Sequence, residues 1–366
     1  MDNGNKVIMK NGLLSLSDWL EFTLKTGFDE TSPAPYTYAL DLMGYSVDEF
    51  TFQPFGGFGY HEKIVRRVGS GEIKVYYHGS VPGMGIHVVI SSSCMDDVLK
   101  HYRDAHSSAT PFSDFAYEMA DLDSTVFLDF LAMICEFGSV TRLDIAIDDI
   151  GACYFTVPEV NQYIESGQYS SRIRHTEYLC SRDNGAVSGD TVYVGKRTSD
   201  FMLRVYDKQA EQNKKRAGQE LPLIETPWVR WEMELKGDSA VRACEELLSR
   251  KSLAAVGVGI LAQKIRLIHL DNVRKARCST LEKWNDFLSN AEKISLYHRP
   301  PASAVDRVCA WLKRQVAPSL AAVVAAFGGS VDFIYDLLSS GSGRLSEKHR
   351  NMIQTYWGVQ PAGVMV

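Results

Sequence analysis

The stretch Val140-Thr141-Arg142-Leu143-Asp144-Ile145-Ala146-Ile147-Asp148-Asp149 decides the fold. A β-strand sends alternate side chains to opposite faces. Leu143, Ile145 and Ile147 then share an aliphatic face, and Arg142, Asp144 and Asp148 share the other. Charges opposite an aliphatic face fit either a solvated sheet surface or a site. Two further stretches repeat the pattern. In 228–236, Val229, Trp231, Met233 and Leu235 oppose Arg230, Glu232, Glu234 and Lys236. In 201–208, Leu203 and Val205 oppose Arg204, Tyr206 and Lys208. If the three belong to one sheet, one side packs on helices. The other gathers Asp144, Asp148, Glu232, Glu234, Arg142, Arg204 and Tyr206, which shifts the reading from a solvated surface towards a functional face.

Working outward, strands are expected at 14–23 (carrying Asp18), 60–68, 73–78, 85–91 and 191–195, with Gly69-Ser70-Gly71 as a hairpin turn. Helices are expected at 36–44, 93–106 and 123–137, and a short one opens at Thr156-Val157-Pro158-Glu159 with Thr156 as N-cap. After Gly237 the pattern turns helical, at 238–250, 253–270, 281–291, 304–315, 320–327, 332–338 and 346–357. The expected organisation is an α+β domain over 1–240 and a helical DNA-binding or accessory domain over 241–366. Gly56-Gly57-Phe58-Gly59 reads as a turn, because no Lys-Ser/Thr follows it as in a phosphate loop.

The bulk numbers bound the reading. A chain of 366 residues, 45% hydrophobic and 23% charged, is a folded globular protein with room for about two domains. Its seven cysteines are scattered with no CxxC pair, which fits free thiols in a reducing cytoplasm. The N-terminus lacks a basic-then-apolar signal pattern and the apolar stretches are too short to span a bilayer, so a cytoplasmic protein without a membrane partner is expected. The net charge of −6 argues mildly against nucleic-acid binding by bulk electrostatics. Local basic runs are what DNA contact requires. Lys196, Arg197, Arg204, Lys208, Lys214, Lys215 and Arg216 outnumber the acids of 191–216, and Arg274, Lys275 and Arg277 lie in a second basic region, 250–283.

The polar face suits one chemistry well. Carboxylates on neighbouring strands can hold Mg²⁺ or Mn²⁺, which would polarise a phosphodiester oxygen. Tyrosine, with a free pKa of about 10, needs help to act as a nucleophile, and nearby Arg, Lys or metal would favour its phenolate. Tyr193, beside Lys196 and Arg197, is the rival to Tyr206, which has Arg204 and Lys208 as neighbours.

These segments, in this order, resemble the Rep_trans family of rolling-circle replication initiators. The runs that carry the resemblance are Ser17-Asp18-Trp19-Leu20-Glu21-Phe22-Thr23, the stretch from Thr141 to Asp149, Thr191-Val192-Tyr193-Val194-Gly195-Lys196-Arg197-Thr198-Ser199-Asp200, Leu203 to Lys208, and Arg230-Trp231-Glu232-Met233-Glu234-Leu235-Lys236. They cover about residues 14–240, and length and opening segment look closest to the initiators of filamentous vibriophages. The resemblance implies that Tyr206, in an R-hydrophobic-Y-[DN]-K run, nicks one DNA strand at an origin, leaving a 5′-phosphotyrosine and a free 3′-hydroxyl. It implies that Asp18, Asp144 and the Glu232/Glu234 pair surround Tyr206 with Mg²⁺ or Mn²⁺, with Asp148 on the same face. It implies a mainly antiparallel sheet of duplicated two-layer units with helices on one side. The partners expected are double-stranded origin DNA, single-stranded DNA and a host helicase, in a chain that could pair as a homodimer. Arg142, Lys196, Arg197, Arg230, Lys214, Lys215 and Arg216 are the expected DNA contacts. Val89 stands where relatives often carry an acid, which puts a metal ligand from that strand in doubt; His87 is near but reads as structural. Alternatives are a non-catalytic DNA-binding regulator of the same fold and a relaxase of an integrative element.

Overall fold

The alternation around Leu143 builds a central strand of a large antiparallel sheet in the computed structural model, which describes residues 5–9, 11–106, 125–250, 252–289, 293–296, 305, 308–309, 312, 316–347, 349–350 and 352–354. In chain order the first half holds β1 (Lys6–Ile8), β2 (Leu14–Leu24), α1 (Tyr36–Met43), β3 (Thr51–Gln53), β4 (Tyr60–Val68), β5 (Gly71–Gly79), β6 (Ile86–Ser91), α2 (Met95–His106) and α3 (Thr125–Phe137). The second holds β7 (Gly138–Ile150), α4 (Val157–Glu165), β8 (Tyr169–Ser171), β9 (Thr176–Asp183), β10 (Ala186–Val194), β11 (Phe201–Asp207), α5 (Lys208–Ala217), β12 (Trp228–Lys236), α6 (Asp238–Arg250), α7 (Leu253–Lys264), β13 (Ile265–Leu267) and α8 (Glu282–Phe287).

The strands lie in the order β3-β4-β5-β6-β2-β7-β12-β11-β10-β9, with β1 added on β2. This order is a repeat folded back on itself. In each half a long strand, β2 or β7, leads through a helix into a four-strand meander, β3 to β6 or β9 to β12. The last strand of the meander returns beside the first, and β2 and β7 pair through the middle. The expected duplicated α+β architecture is therefore present.

One face of the sheet is apolar. Leu20 and Phe22 of β2, Leu143 and Ile145 of β7, and Trp231 and Met233 of β12 are fully buried there. α7 lies close against this face: a Cβ on Gly257 would stand 2.9 Å from Ile145 Cγ2. Ala243 and Leu247 of α6 and Val256 and Ile260 of α7 enter the same core. The boundary expected near 240 thus falls inside a unit that runs Met1–Tyr297. The change from strand to helix after Gly237 marks the second layer of the same unit, because the sheet's apolar face needs helices to cover it.

Other departures have local causes. The helix expected over 253–270 ends at Lys264, and Ile265–Leu267 pairs with Tyr169–Ser171 instead. α5 was not expected because it is polar nearly all round and carries no apolar periodicity; β3, β8, β9 and β13 are short or lie outside the alternation. Thr156 caps α4 in a reciprocal box with Glu159, as read from the sequence. Trp284 packs in the core, 5.4 Å from the Trp231 ring. In the second unit, His298–Val366, α9 (Ala317–Ala326) and α10 (Asp332–Ser342) match the helices expected at 320–327 and 332–338. Those expected at 304–315 and 346–357 lie largely outside the described residues. No helix among the described residues is long and apolar enough to cross a membrane.

Candidate active site

The three charged strand faces come together because β7, β12 and β11 are neighbours. The register sets Arg230 opposite Asp148 on one side and Tyr206 on the other, and Glu232 opposite Ala146 and Arg204. β2 adds Asp18 through a break in register: Ser17 pairs with Ile145, but Trp19 pairs with Asp144. The extra residue is Asp18, and such a bulge re-aims a side chain. It brings Asp18 onto the face that holds Asp144.

Arg230, 3% exposed, donates Nε and Nη2 to the two Asp148 oxygens at 2.6 and 2.7 Å, and Nη1 to Asp18. Arg142 makes a similar fork on Asp144, at 2.9 and 2.6 Å, and reaches Glu234 at 2.8 Å and Glu21 at 3.7 Å. Lys236 also pairs with Glu234. Arg204 donates to Glu232 Oε1 through Nη2, while its Nε is a buried donor with no partner among the described residues. Every expected carboxylate thus meets a cation, as buried charges must.

Tyr206 lies at the centre, 8% exposed. Its phenol donates to Glu232 Oε2 at 3.0 Å and accepts from Lys208 Nζ at 3.3 Å. The contact with Glu232 is diagonal, since the residue directly opposite is Arg230. Lys208 arrives differently from the sequence expectation. β11 ends at Asp207, whose side chain caps α5 by accepting from Ala210 N at 2.7 Å, so Lys208 is the first helical residue and its side chain turns back. It is also held by Glu211 at 2.5 Å.

The electrostatics oppose one expectation. Neighbouring cations were expected to favour the phenolate. Burial first, then the charges of Glu232 and Asp18, instead hold the Tyr206 phenol well above its ordinary value, and Arg230 and Arg204 only partly offset this. Glu232 is raised too, by burial first and then by Asp18. Asp144 is pushed up to about 7 by burial, with Glu232 and Glu234 adding to the effect against Arg142. Glu232 therefore presses electrostatically on both Asp18 and Asp144.

A divalent ion is tested by this donor set. The donors are all carboxylate oxygens, the chemistry Mg²⁺ and Mn²⁺ prefer. The mutual repulsion of Glu232, Asp18 and Asp144 is what a cation would relieve, so the residues fit in kind. Among the described residues no three His, Cys, Asp or Glu side chains stand in a group that could hold a metal ion as they are, and each of these carboxylates is paired with an arginine. Asp148, forked by Arg230, and Glu234, held by Arg142 and Lys236, are the most fully committed.

The expected DNA contacts divide. Arg142 and Arg230, both expected to face phosphates, are paired here with carboxylates: Arg142 with Asp144 and Glu234, and Arg230 with Asp148 and Asp18. Lys196, Arg197, Lys214 and Lys215 are exposed, while Arg216 is tied to Pro222 O at 2.5 Å. Tyr193 stands opposite Arg204, with Arg197 over its ring at 5.7 Å. Sequence reasoning missed Glu21, which meets Arg142 and lies 3.6 Å from His87. Its place in the quoted run around Asp18 was the available signal. It also missed Glu232 as the acceptor of the Tyr206 hydrogen bond, a diagonal contact that appears only once the strand order is known.

Known proteins resemble this chain in sequence and in fold. Residues 138–338 match the Rep_trans family, described as replication initiation factor. Over 225 residues the chain is 31% identical to a Bacillus subtilis (strain 168) protein named "Putative DNA relaxase NicK", a match spanning 60% of this chain and 62% of that protein's length. In fold it is similar to the solved structure of a rolling circle replication initiator protein from Geobacillus stearothermophilus, with a TM-score of 0.56 and 22% identity, over 78% of this chain and 100% of that one.

Proposed function

We propose that this chain, which belongs to the Rep_trans family of replication initiation factors, starts rolling-circle DNA replication by cutting one strand at an origin with Tyr206. The observation that carries the proposal is the Tyr206 phenol, set between a proton acceptor, Glu232, and a proton donor, Lys208.

Because the phenol is held protonated, its proton must leave as it attacks. Glu232 Oε2 is placed to take it. The Tyr206 oxygen bonds to phosphorus, the bond from phosphorus to the 3′-oxygen breaks, and that oxygen takes a proton from solvent water to leave as a free 3′-hydroxyl. The product is a 5′-phosphotyrosine. The Lys208 ammonium stabilises negative charge on the phenol oxygen during attack. Arg204 Nε, which has no partner among the described residues, would give a phosphate oxygen a charge-assisted hydrogen bond. Rejoining reverses these steps, with Glu232 returning the proton to Tyr206. Asp18 and Asp144, together with Glu232, would hold Mg²⁺ or Mn²⁺, which when bound offsets charge on the phosphate oxygens. The exposed Lys196, Arg197, Lys214 and Lys215 would follow the phosphates of origin and single-stranded DNA.

The test is incubation of the protein, and of Tyr206→Phe, with supercoiled DNA carrying its origin and Mg²⁺ or Mn²⁺. A covalent 5′-DNA adduct with the parent and none with the variant is expected. Equal nicking by both overturns the role of Tyr206. No nicking by either favours a DNA-binding regulator that keeps the fold.

A further inference from the structure

The two halves of the sheet repeat one another down to the strand that carries the tyrosine. On β5, Lys74-Val75-Tyr76 takes the place that Arg204-Val205-Tyr206 takes on β11. Across the ladder Lys74 faces Val89 and Tyr76 faces His87, as Arg204 faces Glu232 and Tyr206 faces Arg230. One strand further in, Glu21 and Thr23 stand where Ala146 and Asp148 stand. The first half therefore offers the same basic and aromatic run on the same face, with no acid on β6, the strand that corresponds to β12.

Over this position lies Phe58. Its ring meets Tyr76 edge-on at 5.3 Å and His87 at 5.2 Å, and Tyr60 stacks on His87 at 6.2 Å with 14° between the rings. Phe58 is 65% exposed and has a φ of 53°, the left-handed region that a bulky residue rarely adopts. A strained backbone here holds a large apolar ring out in solvent. Such outliers gather at ligand clamps. The Lys63 ammonium lies over the Tyr76 ring at 5.6 Å. The patch is also continuous with the candidate active site: His87 is 3.6 Å from Glu21, Glu21 is 3.7 Å from Arg142, and Arg142 forks Asp144.

We propose that this patch is a second, non-cleaving site for single-stranded DNA, in which Phe58 stacks on an unpaired base and Lys63 takes a neighbouring phosphate. The proposal rests on the reading that the other half cuts DNA, since its occupant is the continuation of the same strand. Single strands fit better than duplex because only an unpaired base exposes its face to an aromatic ring.

The experiment uses the full chain bearing Tyr206→Phe, which blocks covalent chemistry, and fluorescence anisotropy of labelled oligodeoxythymidine. A second probe is an abasic oligonucleotide of the same length. Adding Phe58→Ala should weaken oligodeoxythymidine binding roughly tenfold, the order of one lost stacked base. It should leave abasic binding and the salt dependence unchanged, because phosphate contacts set that slope. Phe58→Trp should retain binding. Phe58 is exposed, so these changes do not threaten the core. Equal affinity of Phe58→Ala and its parent overturns the proposal, as does an equal loss on the abasic probe. Adduct formation by the chain with Tyr206 intact is scored separately. Stacking without adduct sinks the nicking reading alone, and adduct without stacking sinks this one alone.

Discussion

Replacing Glu232 with glutamine separates its chemistry from its packing. Glu232 is 2% exposed; Oε2 accepts the Tyr206 hydrogen bond at 3.0 Å and Oε1 accepts from Arg204. Glutamine has the same shape and still offers one oxygen, but it is uncharged and takes no proton. Two effects on stability oppose each other. Glu232 is held above its ordinary pKa by burial and then by Asp18, so its charge is less favourable in the fold than in the unfolded chain, and removing it relieves that cost. Against this, Arg204 loses its ion pair. The net change in unfolding free energy should stay within about 2 kcal/mol of zero. Losing the proton acceptor should slow adduct formation by about 10²- to 10⁴-fold, or roughly 3–5 kcal/mol in barrier. The barrier change should therefore exceed the stability change. Single-turnover adduct formation on an origin oligonucleotide, beside urea unfolding of parent and variant, measures both. If Glu232→Gln forms adduct within about threefold of the parental rate, well short of what a general base supplies, Glu232 is not the proton acceptor.

Two further outcomes follow from the same network. Asp144 is raised from 3.8 to about 7, so the folded chain binds its proton more tightly than the unfolded chain; that stabilisation is complete below about pH 4 and is lost as pH rises through 7. Between pH 4 and pH 8 the parent should lose up to about 4 kcal/mol relative to Asp144→Asn in urea unfolding, and a difference that does not move with pH would refute the assignment. Arg230→Ala leaves Asp18 and Asp148 buried without their shared guanidinium and should cost about 3–5 kcal/mol; Lys236→Ala removes the more exposed partner of a pair in which Glu234 keeps Arg142, and should cost under about 1 kcal/mol, and equal urea midpoints for the two variants would contradict this.

The sequence carried the faces of strands better than their neighbours. Leu143 against Asp144, Trp231 against Glu232 and Val205 against Tyr206 are local alternations, and each survives in the fold because one face had to be buried. Strand order is not local. The contact between Tyr206 and Glu232 depends on β11 lying beside β12, and that on Arg142 with Glu234 depends on β12 lying beside β7. Lys208 shows the opposite case. It was placed beside Tyr206 by alternation, but the strand stops at the Asp207 cap and the lysine reaches the phenol from a helix. Asp18 was suggested by resemblance; only the bulge between Ser17 and Trp19 shows physically how it joins the face. The boundary at 297 was hidden because α6 and α7 read as a helical run when they are the sheet's covering layer.

The repeat gives a physical reason for assigning the proposed chemistry to one half. Both halves carry a basic residue two positions before a tyrosine on the third strand of the meander, Lys74 before Tyr76 and Arg204 before Tyr206. In the second half the adjacent strand supplies Glu232, which lies within hydrogen-bonding distance of the phenol. In the first, Val89 holds that register position and the acid, Glu21, is one strand further away, already hydrogen-bonded by Trp19 at 2.8 Å. Among the described residues no carboxylate is hydrogen-bonded to the Tyr76 phenol, so on this reading Tyr76 lacks the proton route that Glu232 offers Tyr206. Burial raises its pKa as well. What the first half keeps is aromatic area and a lysine, which on this reading would hold a strand without cutting it. On the proposed reading the chain grips DNA while it cuts, and the duplicated sheet would supply both properties on one continuous face, with Tyr206 as the cutting tyrosine.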